Sequence, residues 1–198
     1  MWPLAERTAL RTPGTFLASF FVWLPDAWAA VSAPLRSQLK VLFGSQAYDV
    51  TNSPRHRLPW QITGIRVTFS AAVTSGGIAS LTGAAATGFS GLGTNTLTWT
   101  ISPIATGSPS IALAGAGTNA LTDANGIALG GGSGVTTALK VLCGDFNDDG
   151  VVNASDVAAI NTAHSAPTYN IFADTNGDGV VDLTDVRLAG TRTGQTNP

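Results

Sequence analysis

Eight of the 12 acidic residues in the sequence lie between Asp145 and Asp185, in a chain of which only 11% is charged. They fall in two stretches of one design, GDFNDDGVVNASDV from Gly144 and ADTNGDGVVDLTDV from Ala173. Numbered from Asp145 and from Asp174, the two stretches supply oxygen at the same places. Positions 1, 3 and 5 are Asp145, Asn147 and Asp149 in the first and Asp174, Asn176 and Asp178 in the second. Position 6 is Gly150 or Gly179, where the backbone must turn sharply with positive φ. Position 7, Val151 or Val180, offers only its carbonyl oxygen; position 9 is Asn153 or Asp182, and position 12 is Asp156 or Asp185. Like charges crowded in this way only add self-repulsion unless something cationic joins them. Oxygen ligands at this spacing wrap around a hard divalent cation.

The spacing is that of EF-hand loops, and about seven oxygens suit Ca²⁺ better than Mg²⁺, which demands a tighter octahedron. Position 9 would reach such an ion through water. Both loops depart from the general pattern by ending in Asp rather than Glu, so the helix that follows must approach more closely. Helices are expected there: SDVAAINTA places Val157 and Ile160 one turn apart, and TDVRLAG follows the second loop. A strand is expected to run straight into Gly144, so no amphipathic helix enters the first loop. The unit is therefore loop plus exiting helix, duplicated. Residues 142–198 are too few for a generous core, so metal binding is expected to supply much of the segment's folding free energy. At the ligand positions the second loop carries four carboxylates against three in the first and is expected to be the tighter site.

The elements before these loops read as strands. Apolar residues keep period two in LKVLF (Leu39, Val41, Phe43), GIRVTFS (Ile65, Val67, Phe69), TLTWTIS (Leu97, Trp99, Ile101) and TTALKVLC (Leu139, Val141). Turn signals TSGG, SGLGTN, TGSPS, DANG and GGGSG separate them. Short strands so spaced argue for an antiparallel sandwich of about a hundred residues. Trp99, in phase with Leu97 and Ile101, reads as core. The segment carries little catalytic equipment. Glycosidic hydrolysis usually takes two carboxylates, and only Asp49 and Asp123 stand here, the latter a turn former in TDANG. A Ser/His/Asp triad would have to recruit His56, whose surroundings SPRHRLPW read as a polar loop. Arg55, His56, Arg57 and Trp60 suit either a sugar or anion site or, in preference, a solvated loop anchored by one aromatic. No enzymatic activity is expected.

Charge divides the chain. From Ala30 to Lys140 there are six basic and two acidic residues; from Val141 onward there are two basic and eight acidic. This places a boundary near residue 142 and gives three parts: a leader at 1–29, a sandwich at 30–141 and a metal-binding segment at 142–198. The leader has the form of an export signal, with Arg7 and Arg11, the apolar run FLASFFVWL and cleavage expected after Ala29. The apolar run is too short to span a membrane, so a secreted or cell-surface location is expected. The net charge of −2 gives no reason to expect nucleic acid as a partner. Cys143, the only cysteine, forms no internal disulfide and reads as a small buried hydrophobe at the junction.

Two resemblances follow from these stretches. VTFSAAV (Val67 to Val73) and LTDANGIAL (Leu121 to Leu129) resemble the bacterial immunoglobulin-like sandwiches of exported multidomain surface proteins. The leading GD, the paired D-x-N-x-D-G-V-V-x-x-x-D-V loops, Asp at position 12 and about 29 residues between loop starts resemble the type I dockerin module, over Cys143 to about Arg192. The expected architecture is thus multidomain: an all-β immunoglobulin-like sandwich, then a small helical dockerin with two EF-hand-like calcium loops. The dockerin resemblance implies two bound Ca²⁺ ions and docking onto a cohesin-like domain of a scaffold or surface protein. It also implies a short bridge pairing Val152 with Val181, the eighth positions of the two loops. Partner contact falls to Ala154 and Ser155 on the first helix, and to Leu183, Thr184, Arg187 and Arg192 on the second. Asn161 and Thr162 stand where the family carries basic residues, so two equivalent binding orientations are not expected. Dockerins are associated with polysaccharide breakdown, which implies a polysaccharide-associated role as the alternative.

Overall fold

The computed structural model describes residues 37–51 and 53–198; the expected leader at 1–29 lies outside the described residues. Alternation produces the expected strands. They are β1 (Ser37–Phe43), β2 (Gln46–Asp49), β3 (Ile62–Phe69), β4 (Val73–Ser75), β5 (Leu81–Thr82), β6 (Ala86–Ser90), β7 (Thr96–Ile104), β8 (Thr106–Gly107), β9 (Ser110–Leu113), β10 (Thr122–Asp123), β11 (Val135–Ala138) and β12 (Val141–Leu142). A five-stranded antiparallel sheet runs β2-β1-β3-β7-β6 and a three-stranded one β11-β9-β5, with the short pairs β10-β4 and β12-β8 beside them. Leu39, Val41 and Phe43, then Ile65, Val67 and Phe69, then Leu97, Trp99 and Ile101 point inward from the large sheet. They share one core with Leu81, Ile111 and Leu113 of the three-stranded sheet. Asp123 is the turn former expected, its Oδ1 accepting from the N–H groups of Asn125 and Ile127 at 2.8 and 2.9 Å.

One strand differs from expectation. TTALKVLC keeps its alternation but is split, because the chain changes partner in the middle: β11 pairs with β9, and β12 pairs with β8. At the break the N–H of Leu58 donates to the Lys140 carbonyl at 2.8 Å, and the Leu142 N–H donates to the Leu58 carbonyl at 3.0 Å.

Beyond β12 the chain turns at Gly144 and forms two α-helices among the described residues, α1 (Ala154–His164) and α2 (Leu183–Thr191). Both start on the same cap. Asn153 and Asp182 accept from the N–H two residues on, at 2.8 and 2.6 Å. Asp156 and Asp185 reach back to the N–H of the capping residue, each at 2.9 Å. This reciprocal box satisfies two orphan donors at each helix start. Ile160, Ala173 and Ala189 form a small core, with Phe146, Val157, Val181 and Val186 against it. Among the described residues no helix is long and apolar enough to cross a membrane.

The expected Val152–Val181 bridge is not formed. Val152 instead donates to the Gln195 carbonyl at 2.9 Å and accepts from the Gly194 N–H at 2.8 Å, so the segment after α2 occupies its edge. The Val181 carbonyl contacts His164 Nδ1 at 3.1 Å.

Trp60 is the anchoring aromatic of the SPRHRLPW segment. It is fully buried, stacked on Phe43 at 4.1 Å and on Phe172 at 5.6 Å. Its indole N–H donates to the Ile171 carbonyl at 2.8 Å. Tyr48 closes the group at 4.9 Å from Trp60. Trp60 thus joins the β region to the segment between the two loops. Truncating such a ring typically costs about 3–5 kcal/mol. Trp60→Ala is expected to lower the unfolding free energy by that amount in a urea titration; a loss below about 1 kcal/mol would mean the ring does not hold the two parts together.

Candidate metal centre

Each carboxylate loop is built by its own side chains folding back on its own backbone. In the first, Asp145 accepts from the N–H groups of Asp149 and Gly150 at 3.2 and 3.1 Å. Asn147 Oδ1 accepts from the Asp149 N–H at 3.0 Å, and its amide donates to Asp149 Oδ2 at 2.8 Å. Asp149 Oδ1 accepts from the Val151 N–H at 2.9 Å. Asp156 accepts from the N–H groups of Phe146 and Asn147 at 2.9 and 3.1 Å. Gly150 takes φ 91° and Gly179 φ 96°, as position 6 requires.

The second loop repeats most of this set. Asp174 accepts from the N–H groups of Asp178 and Gly179 at 3.2 and 2.9 Å. Asn176 accepts from the Asp178 N–H at 2.9 Å and donates to its carboxylate at 2.8 Å. Asp178 accepts from the Val180 N–H at 2.9 Å, and Asp185 from the Asn176 N–H at 3.1 Å. The Gly177 N–H also donates to Asp174 Oδ1 at 2.8 Å. The Tyr169 hydroxyl, which has no counterpart in the first loop, donates to Asp174 Oδ2 at 2.6 Å; burial, and with it that bond, raises the phenol's pKa.

Electrostatics separate the inner carboxylates from the outer ones. Asp145, Asp156, Asp174 and Asp185 are buried. Burial pushes Asp145 and Asp185 above the usual carboxylate range, against the pull of the N–H donors. Asp149 and Asp182 lie low instead, held by the N–H and side-chain donors of Val151 with Asn147, and of Thr184. The carboxylates of a loop are turned to backbone N–H groups rather than to one another. Among the described residues no three His, Cys, Asp or Glu side chains form a metal-holding group by themselves. The loops bring together a mixed set in which amide and carbonyl oxygens stand between carboxylates. That set fits a hard divalent cation. It is all oxygen, and both oxygens of Asp145 accept one N–H each and keep a second lone pair. Asp145, Asn147, Asp149, the Val151 carbonyl and Asp156 would hold such an ion in one loop; Asp174, Asn176, Asp178, the Val180 carbonyl and Asp185 in the other. Asn153 and Asp182, at position 9, cap the helices and would reach the ion through water.

Of the residues assigned to partner contact, Ala154, Ser155, Leu183, Thr184 and Arg187 are exposed. Arg192 is half-buried at the C-cap of α2, and its Nε is buried with no hydrogen-bond partner among the described residues. A groove of about 450 Å³ runs between the helices, lined by Ala154, Val157, Ala158, Asn161, Val186, Gly190 and Thr193. Residues 143–188 match the family model described as the Dockerin type I domain. Comparison of the chain with curated proteins and with solved structures gave no match. The dockerin match covers both loops, α1 and most of α2, and it supports calcium as the ion and a cohesin domain as the class of partner.

Several residues that hold the dockerin segment in place carry no signal in its own motif. Asp148, at position 4, accepts from the N–H groups of His56 and Arg57 at 2.8 Å each. Arg55 donates to the carbonyls of Asp145 and Phe146 at 2.7 and 2.9 Å, and its guanidinium lies 4.7 Å from the Phe172 ring centre. Burial lowers the Arg55 pKa, with Asp148 and Asp145 opposing. Asn197 donates to the carbonyls of Gly107 and Val141 at 2.9 and 3.0 Å, accepts from the Ser108 hydroxyl at 3.0 Å and donates from its N–H to the Gly150 carbonyl at 3.0 Å. The segment that looked like a solvated loop is thus a clasp on the first dockerin loop.

Cys143 begins the matched segment and is fully buried. Burial pushes its thiol up to about 11, with Arg192 opposing. In the folded chain Cys143 is expected to resist a water-soluble disulfide reagent at neutral pH and to react only on unfolding; rapid labelling in native buffer would contradict that.

Proposed function

We propose that the chain is an exported, non-catalytic binding protein whose dockerin segment takes up two Ca²⁺ ions, one per loop, and docks onto a cohesin-type domain of a scaffold or surface protein. The observation that carries this is the set of internal hydrogen bonds that the two loops share inside the family-matched segment: position 1 accepts from positions 5 and 6, position 3 from 5, position 5 from 7, and position 12 from 3. Two loops so alike in scaffold serve the same ligand. The exposed starts of α1 and α2, with the groove between them, form the docking face, and the β region acts as an immunoglobulin-like spacer or display domain. Export rests on the basic start and apolar run of the first 29 residues.

A second role follows from the contacts of Asp148, Asn197 and Trp60: the calcium segment caps the β region. The polysaccharide-associated alternative needs an exposed aromatic platform. Of its candidates, Trp60 is buried, Tyr48 packs against it, and Phe89 is partly buried against Trp99, so none supports that role.

Calorimetry on the full chain is expected to give two calcium sites, with Asp156→Ala and Asp185→Ala each removing one and the site left by Asp156→Ala, in the second loop, being the tighter. Cohesin domains immobilised with calcium are expected to retain the chain, and chelator to release it. Two sites without capture by any cohesin would leave the capping role and remove the docking one.

A further inference from the structure

Both dockerin loops are gripped from outside, at the same position. Position 4 takes a left-handed backbone in each, φ 66° at Asp148 and φ 74° at Gly177. Asp148 is the only non-glycine with positive φ among the described residues. A side chain there is strained unless the surroundings hold it, and the surroundings are the β region. Its two carboxylate oxygens take the successive N–H groups of His56 and Arg57. At the second loop the Gly177 carbonyl accepts from the N–H and hydroxyl of Ser45 at 2.7 and 3.0 Å. A Cβ at Gly177 would stand 2.2 Å from the Phe43 carbonyl oxygen, and one at Gly44 would stand 2.5 Å from the Asn176 and Gly177 carbonyl oxygens. The first loop has further holds besides the Arg55 bonds to the Asp145 and Phe146 carbonyls. Arg57 donates to the Asp148 carbonyl at 3.2 Å and to the Asn197 carbonyl at 2.5 Å, and Asn197 holds the Gly150 carbonyl.

Position 4 lies between the side chains of positions 3 and 5, and its backbone turn sets how those two oxygens face each other. We propose that the β region is the outer shell of the calcium loops, and that the first loop's affinity is set by the grip of His56, Arg57 and Asn197 on Asp148 and Gly150. This rests on the calcium function proposed above. Removing partners that orient metal ligands typically costs ten- to a hundredfold in affinity, through the geometry of the ligands rather than through contact with the ion.

The test uses the full chain carrying Asp185→Ala, so that calorimetry with Ca²⁺ reads the first loop. Asp148→Gly keeps the left-handed turn but removes both carboxylate bonds to the β region; Asn197→Ala removes the side-chain bonds to Gly107, Val141 and Ser108 that anchor the backbone N–H holding Gly150, without changing charge. Each is expected to weaken calcium binding roughly tenfold, and the loss should persist at high salt, where a purely electrostatic effect of the missing carboxylate is screened. In the complementary background, Asp156→Ala, neither variant should change the second loop. Wild-type affinity in both variants, or a loss confined to Asp148→Gly and abolished by salt, would overturn the proposal while leaving the calcium function intact. Failure of the unmutated chain to bind calcium would instead remove the function on which it rests.

Discussion

Carboxylates packed closely together repel, and the architecture of the segment after β12 follows from how that repulsion is met. Each inner aspartate takes backbone N–H groups as partners, and those N–H groups exist only if the loop is tightly coiled with a left-handed turn at position 6. Asp156 and Asp185 do two things at once: they accept from inside the loop and cap the helix that leaves it. Loop and helix are one construction, which explains why aspartate suffices at position 12 when the helix starts this close.

The same constraint gives the β region its second use. A loop whose carbonyls face outward needs donors outside, and Arg55, Arg57, Ser45 and Asn197 supply them. The β region is therefore more than a spacer. Its hairpin turn at Gly44–Ser45 and its basic segment Arg55–Arg57 are shaped to receive the backs of the two loops, while the starts of α1 and α2 stay open to solvent. The described residues accordingly belong to one compact unit.

Periodicity and spacing made much of this legible in the sequence. The loops were readable because their ligands follow one another at fixed short intervals, and the strands because Leu97, Trp99 and Ile101 alternate with threonines. What stayed hidden depends on pairings across long stretches of chain. Asp148 looks like one more loop acid, yet its partner His56 is 92 positions away. Asn197 sits among small polar residues with nothing local to mark it. Trp60 was legible as an anchor, but not the partners it anchors to, since its burial is decided by Phe43 and Phe172. Val152 was assigned the wrong partner because the loops' symmetry suggested Val181, and the segment after α2 took its edge first.

The central claim is that both loops hold calcium on the oxygens named. A crystal structure of the full chain grown with calcium tests it most directly. One ion in each loop, ligated by Asp145, Asn147, Asp149, the Val151 carbonyl and Asp156 and by their counterparts from Asp174 to Asp185, is the expected result. Loops that remain closed on their own N–H groups in saturating calcium, with no ion between these oxygens, would contradict it.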